Sequence, residues 1–327
     1  MIYKCKNCDG NMTYSVEDRK MVCPYCGSMD SEQIMIGHTM DICDCCGARI
    51  PIGQYDSAGK CPACSQYIIF DERVSGQYRP NKIVPFHVGK QMAKTLIKRE
   101  YEKMLYVPDS FLEEASLEKI EGTYVPFWLY NFKANFDFRG TGTRVRIWTS
   151  DKLEYTETAY FNVHRNFDAI FRKMPVDASL AMPDDIMDLM EPYEYEEMED
   201  FDPKYMSGYR GEIYSGGPKV FEIRAAEKVR KDAEALLTKA LAGYESVTPT
   251  SKKLTSTNTG TEYVLLPVWK YIYNYRGNKY EYYINGQTGK IVGEAPKSKA
   301  KMLAYPITIF MMVSLGLAML MSIVWGI

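Results

Sequence analysis

Eight cysteines constrain the N-terminal part of this 327-residue chain more tightly than any other feature. They form four Cys-x-x-Cys pairs, Cys5/Cys8, Cys23/Cys26, Cys43/Cys46 and Cys61/Cys64; fourteen residues separate Cys8 from Cys23, and again Cys46 from Cys61. Two such pairs joined by a short hairpin bring four thiolates to about 2.3 Å from one zinc ion, the arrangement of a structural site. The spacing predicts two tandem four-cysteine zinc ribbons, over residues 1–35 and 36–72, with one structural zinc each. Gly10, Gly27 and Gly47 follow three of the pairs and are expected to supply the positive φ that tight knuckle turns need. Disulfides would require an oxidising compartment, and Met1-Ile2-Tyr3-Lys4-Cys5 does not read as a secretory signal. A redox Cys-x-x-Cys usually stands alone, whereas these pairs are evenly matched. Cys45 breaks both gaps if chosen as a ligand and is expected to be a bystander.

A zinc ion held by four protein thiolates has no open position for water or substrate, so catalysis at the metal is not expected. The metal instead replaces a core that so short a segment cannot build. Residues 1–70 carry six basic side chains (Lys4, Lys6, Arg19, Lys20, Arg49, Lys60) against eight acidic ones. Two four-thiolate zinc centres take the region to a net charge of about −6. A nucleic-acid binder needs the opposite sign, so a protein partner is the better expectation.

The C-terminal stretch from Leu303 to Ile327 has no charged residue. About 20 apolar residues suffice to cross a bilayer as a helix, so residues 303–326 are read as a single transmembrane helix. Tyr305 and Trp325 stand near its two ends, where amphipathic rings prefer the interface. Lys297, Lys299 and Lys301 make 297–302 a basic juxtamembrane segment and place that side, with the ribbons, in the cytoplasm.

Between the ribbons and the span, residues 73–80 read as a linker and 81–296 as an α+β domain. A helix is predicted from Gly89 to Tyr106, stopped by Pro108, and another from Phe221 to Tyr244. Trp128, Tyr130, Phe132, Ala134, Phe136 and Phe138 alternate with mostly polar residues, the signature of a half-buried strand, and a covering helix is expected on the aromatic face. Arg139-Gly140-Thr141-Gly142 reads as a turn, with strands continuing over 143–149 and 153–163. Residues 174–203 carry eleven acids and no lysine or arginine, read as a solvated acidic face with a short helix between Pro183 and Glu191. Residues 205–217 are expected to be irregular, and 247–261 reads as a polar run. Trp269, Tyr271, Tyr273 and Tyr275 repeat the aromatic alternation, and Lys279–Ile284 pairs back after Gly277-Asn278. Pro126-Phe-Trp-Leu-Tyr130 and Pro267-Val-Trp-Lys-Tyr271 share Pro-x-Trp-x-Tyr, each after an amphipathic helix. An internal duplication of a helix plus antiparallel sheet, over 81–175 and 220–296, is inferred.

The tandem ribbons, Val84-Pro85-Phe86, Tyr124-Val125-Pro126-Phe127-Trp128, Pro175-Val176-Asp177-Ala178-Ser179, Leu266-Pro267-Val268-Trp269, Asn285-Gly286-Gln287-Thr288-Gly289-Lys290 and the terminal span together resemble the bacterial TFIIB-type zinc-ribbon membrane proteins. That resemblance covers essentially the whole chain. It implies zinc on the eight paired cysteines and a membrane-associated adaptor in envelope stress, working beside PspA-like phage-shock proteins and SPFH/flotillin-like proteins. It implies no catalytic residue. From the residues themselves, no Ser/His/Asp set, Cys/His pair, open metal site or phosphate loop can be assembled; Ser215-Gly216-Gly217 is not followed by Gly-Lys-Ser/Thr. The expectation is a non-enzymatic, membrane-anchored zinc-ribbon adaptor that recruits protein partners. The competing reading, a membrane-tethered nucleic-acid- or polymerase-binding ribbon protein, requires a basic surface on the ribbons.

Overall fold

The aromatic alternation over residues 128–138 belongs to a strand far longer than the pattern that announces it. In the computed structural model, which describes residues 1–35, 37 and 41–325, that strand runs unbroken over Glu121–Ser150. In chain order the elements are β1 (Ile2–Cys5), β2 (Thr13–Ser15), β3 (Lys20–Val22), β4 (Glu32–Met35), β5 (Asp56–Lys60), β6 (Tyr67–Ile69), β7 (Lys82–Ile83), α1 (Lys90–Tyr101), α2 (Glu114–Leu117), β8 (Glu121–Ser150), β9 (Leu153–Asp177), α3 (Asp184–Leu189), β10 (Glu199–Asp200), β11 (Arg210–Glu212), α4 (Pro218–Ala240), β12 (Ser246–Tyr275), β13 (Asn278–Asn285), β14 (Ile291–Gly293) and α5 (Lys299–Trp325). The class is mixed α+β. Two four-cysteine groups lie near the N-terminus, and one apolar helix ends the described chain. Residue 36, the expected start of the second ribbon, and residue 326, the expected end of the span, lie outside the described residues, as does His38.

Antiparallel pairing of β8 with β12 forms the centre of the sheet and runs from Glu121↔Lys270 to Thr143↔Ser246. β9 pairs with the outer edge of β8, and β13 with the outer edge of β12, in the order β9-β8-β12-β13. Both hairpins turn on two consecutive residues with positive φ: Asp151 (49°) and Lys152 (68°), then Arg276 (51°) and Gly277 (81°). Such tight turns match the twist of the strands they join.

The turn expected at Arg139–Gly142 is therefore not there. Its glycines serve close approach instead: a Cβ at Gly140 would stand 2.6 Å from the Thr248 carbonyl oxygen, and one at Gly142 2.6 Å from the Tyr244 ring. The polar run 247–261 is strand, the first half of β12. Most of its side chains are exposed on both faces, so it shows no hydrophobic period, and its backbone partners lie in β8. Within 205–217, β11 pairs in parallel with β8 and antiparallel with β5, which carries the sheet out to the cysteine-bearing segment. Helix α1 ends at Tyr101, earlier than Pro108 alone would dictate, because Tyr101 is buried against Phe111 and Tyr282 and the chain turns there. Residues 73–80 pack against the body, burying Val74 and Pro80.

As expected, a helix covers the aromatic face. Phe136, Phe138 and Val163 pack under Ala233 and Leu237 of α4. The latching of helices to strands is reciprocal between the halves. Trp128 of β8 donates its indole N–H to the Gly216 carbonyl, just before the N-cap of α4 (3.1 Å). Trp269 of β12 donates to the Val88 carbonyl, just before the N-cap of α1 (2.7 Å).

Phe136 is 1% exposed and stacks on Phe167, whereas Ile147, near the hairpin end, is 60% exposed. Phe136→Ala should cost about 3–5 kcal/mol through the lost burial and the cavity under α4. Ile147→Ala should stay within about 0.5 kcal/mol. Urea unfolding of the detergent-solubilised chain compares the two.

Candidate metal centres

Each Cys-x-x-Cys pair closes on itself through the same two backbone bonds. The amide of the first cysteine donates to the carbonyl five residues on (Cys5 to Gly10, Cys23 to Ser28, Cys43 to Ala48, Cys61 to Gln66). The amide four residues on donates back to the first cysteine (Asp9, Gly27, Gly47 and Ser65). Those four returning residues all have positive φ, at 57°, 72°, 71° and 61°. Gly27 and Gly47 thus play the role expected of them. Gly10 does not: Asp9 takes the left-handed position, and Gly10 is needed because a Cβ there would stand 2.5 Å from Tyr25 Cδ2.

Knuckle pairs then face each other. In the first group Cys5 Sγ lies 3.6 Å from Cys26 Sγ, and Cys8 Sγ 3.5 Å from Cys23 Sγ. In the second, Cys43 to Cys64 is 3.6 Å and Cys46 to Cys61 is 3.7 Å. Four sulfurs about 2.3 Å from one ion at tetrahedral angles stand roughly 3.8 Å apart, so both groups have the dimensions of a four-cysteine metal site. One side of each is buried, at Cys5, Cys23, Cys43 and Cys61, while Cys8, Cys26 and Cys46 face solvent. The Ser28 hydroxyl, 3.1 Å away, holds the Cys26 thiol below its ordinary value. The Cys64 amide draws Cys61 down to about 7. Donors aimed at sulfur favour the thiolate at these two positions, the form that binds metal, whereas burial pushes Cys43 and Cys64 of the second group up.

These are the only such groupings of histidine, cysteine and carboxylate side chains among the described residues. Cys45 stands outside both. Its sulfur accepts from Asn11 Nδ2 at 3.6 Å, so it lies against the first cysteine segment rather than in the second cluster. His87 Nδ1 sits 3.2 Å from Glu197, and His164 Nε2 2.7 Å from Asp137.

Both centres are fastened to the body. The first is held by Tyr14 N–H to the Ser207 carbonyl and by the Ser207 hydroxyl to the Met12 carbonyl. The second shares the main sheet through β5 and β11. The N-terminal ammonium donates to the Ile69 carbonyl and lies 3.2 Å from Asp71.

The acidic stretch 174–203 is only partly solvated, a correction to its reading as an exposed face. Asp177 is buried at the end of β9 and bonds Arg224 of α4 at 2.8 Å. Arg224 also reaches Asp184 and Asp188, while Lys228 reaches Asp188 and Glu191. These ion pairs fasten α3 to α4. α3 itself falls where a short helix was expected.

Helix α5 carries the apolar C-terminal stretch. Within Lys299–Met321 the most apolar 18-residue window has a mean hydropathy of 2.0 and none of that window is buried, so by length and composition the helix could cross a membrane.

No known family profile matches this chain, and no solved structure matches it. One curated protein does: the uncharacterized protein YdjG of Bacillus subtilis (strain 168), 33% identical over 314 residues, covering 93% of this chain and 92% of YdjG. The chain belongs to the YdjG family. The match runs over most of both proteins.

Burial pushes the Asp177 carboxyl up to about 6, against the opposing pull of Arg224. The folded state therefore binds this proton more readily than the unfolded chain, whose carboxylate titrates near 4. Sign follows directly: the group's contribution is fully present below about 4 and is lost as pH rises through about 6. Asp177→Asn removes that slope, so the stability of the wild type relative to this variant should improve as pH is lowered from neutral toward 5. Urea midpoints measured across that range check it.

Proposed function

We propose that this protein is a non-enzymatic adaptor. Its zinc ribbons and aromatic-rich domain recruit protein partners, and α5 fixes the assembly to the cytoplasmic face of the cell membrane. The observation that carries the partner reading is the apolar surface of the ribbon segment: Tyr25 is 67% exposed, Ile34 56%, Met29 50%, and Met35 and Ile42 40% each. Exposed apolar side chains beside acidic ones suit a protein surface and repel a phosphate backbone. Zinc is the metal of choice, since four cysteine sulfurs in a tetrahedral array suit it and leave no position for chemistry. Lys297, Lys299 and Lys301 before the span favour a cytoplasmic N-terminal body, where thiolates stay reduced. Partners of the PspA-like and SPFH/flotillin-like kind, in an envelope-stress role, are those the family resemblance suggests.

We read the two helix–strand–hairpin halves as copies of one unit. Supporting this, Val125 pairs with Leu266, and these two residues occupy the same position relative to Pro126 and Pro267. The reciprocal tryptophan latches follow the same two-fold relation.

Elemental analysis of anaerobically purified protein should find two zinc ions per chain. Cys46→Ser should lose one ion, and Cys45→Ser should keep both. Intact disulfides in fresh protein, or fewer than two metals with eight free thiols, would refute the zinc assignment.

Removing residues 302–327 should yield a soluble folded body, and in intact cells the full chain should resist external protease. The full-length protein should capture a membrane-associated protein in a way that EDTA, or Cys26→Ser together with Cys64→Ser, weakens. Tight, salt-sensitive DNA binding by the zinc-loaded protein would overturn the adaptor reading.

A further inference from the structure

The turn that follows α1 has the composition of a membrane-interface contact and sits beside the start of α5. Met104, Leu105 and Tyr106 are exposed at 44%, 58% and 37%, between Tyr101 and Val107, which are buried. Three large apolar side chains in a row at a surface turn are costly in water unless something covers them. Along the first turns of α5 the contacts are continuous. The Ser298 amide donates to the Tyr106 carbonyl at 2.7 Å, and Lys301 Nζ donates to the Val107 carbonyl at 2.8 Å and to Asp109 at 2.7 Å. The Tyr106 ring then meets the Tyr305 ring edge to face, with centroids 6.1 Å apart. Ser298 to Tyr305 is about 10 Å of helix, so the turn follows α5 from its polar start into the stretch that carries no charge.

Charge completes the pattern. Arg99 and Lys103 on the flank of the turn line one cleft with Glu100 and with Lys290, whose ammonium donates to the Glu191 carbonyl at 2.6 Å. Lys297 and Lys299 are at the foot of α5, Lys299 exposed. The nearby acids are Glu100, Glu102 and Asp109, and Asp109 is already paired with Lys301. Basic side chains around an apolar tip are the complement of an anionic lipid surface, with the stems lying along the acyl boundary and the charges among headgroups.

We propose that the 103–107 turn is a second membrane contact. On this proposal Met104, Leu105 and Tyr106 enter the headgroup–acyl boundary beside α5, and Arg99 and Lys103 bind anionic lipid headgroups. It rests on the reading of α5 as a membrane anchor. A span alone leaves the body free to swivel; a docked turn next to it fixes how the sheet meets the bilayer.

The test uses the full chain in vesicles of phosphatidylcholine mixed with phosphatidylglycerol. Flotation through a carbonate wash reports the anchor by itself. Leu105→Trp then reports the turn, as the emission added over the wild type, with lipids brominated near the headgroup as quencher. The expected result is a blue-shifted added emission that loses more than half its intensity to the quencher. In Arg99→Gln/Lys103→Gln protein, the quenching should fall toward the level seen in pure phosphatidylcholine. A chain that floats while the added emission stays water-like and unquenched overturns the proposal and leaves the anchor standing. A chain that does not float overturns both. Equal quenching with and without phosphatidylglycerol overturns the headgroup assignment to Arg99 and Lys103.

Discussion

The antiparallel ladder between β8 and β12 is what the rest of the molecule is hung upon. Its backbone pairing extends from Glu121↔Lys270 to Thr143↔Ser246, and the other parts of the body add to one of its edges or cover one of its faces. β9 and β11 share the outer edge of β8; β13 and β7 share that of β12. Helix α4 covers the aromatic side of β8, and α1 lies at the start of a latch from β12. The three-residue strand β11 joins β8 to β5 and so makes the second cysteine centre an extension of the same sheet. A cysteine cluster that would otherwise hang on a linker is held at a defined place.

Features with a strong local period or fixed spacing were readable from sequence. The cysteine pairs converge as their spacing requires, the aromatic strand buries its even-numbered face, α3 and α4 fall close to their expected places, and the apolar C-terminus is one helix. What could not be read has a common physical cause. The first half of β12 is polar because solvent reaches both of its faces, so its strand character lies only in backbone partners more than a hundred residues away. β11 is Arg-Gly-Glu, too short to carry any period. At Gly140 and Gly142 the ambiguity lay in glycine itself, which serves a turn and a close approach equally well, and only the neighbouring strand tells which. Asp9 and Ser65 show the converse, a left-handed knuckle position filled without glycine.

The two tryptophans tie the helices to strands distant in sequence. Trp128 holds the start of α4, and Trp269 holds the start of α1, so each helix is anchored by a strand from the other half. The acids of 174–203 add to the same cross-linking, because Arg224 and Lys228 of α4 gather Asp177 from the end of β9 and Asp188 and Glu191 from the segment after it. Burial leaves Asp177 with one oxygen that has no hydrogen-bond partner. A polar group in that state is a cost to stability, offset by the packing of α4 on the aromatic face.

The β8–β9 hairpin outruns the rest of the sheet. β12 stops pairing at Ser246↔Thr143, leaving residues 144–159 as a two-stranded ribbon with Trp148 stacked on Tyr155 near its end. From Glu121 to Ser150 the strand has 30 residues, about 100 Å of contour at the usual rise per residue. The segment that grips α5 packs at the other end, where Phe111 and Ser110 meet Tyr271 and Tyr273. The strand's contour is about three times the thickness of a bilayer's hydrocarbon core, and residues 144–150, about 23 Å of it, project beyond β12. Anything seated on its tip would be held far along the strand from the foot of α5, at a reach set by strand length rather than by a flexible tether.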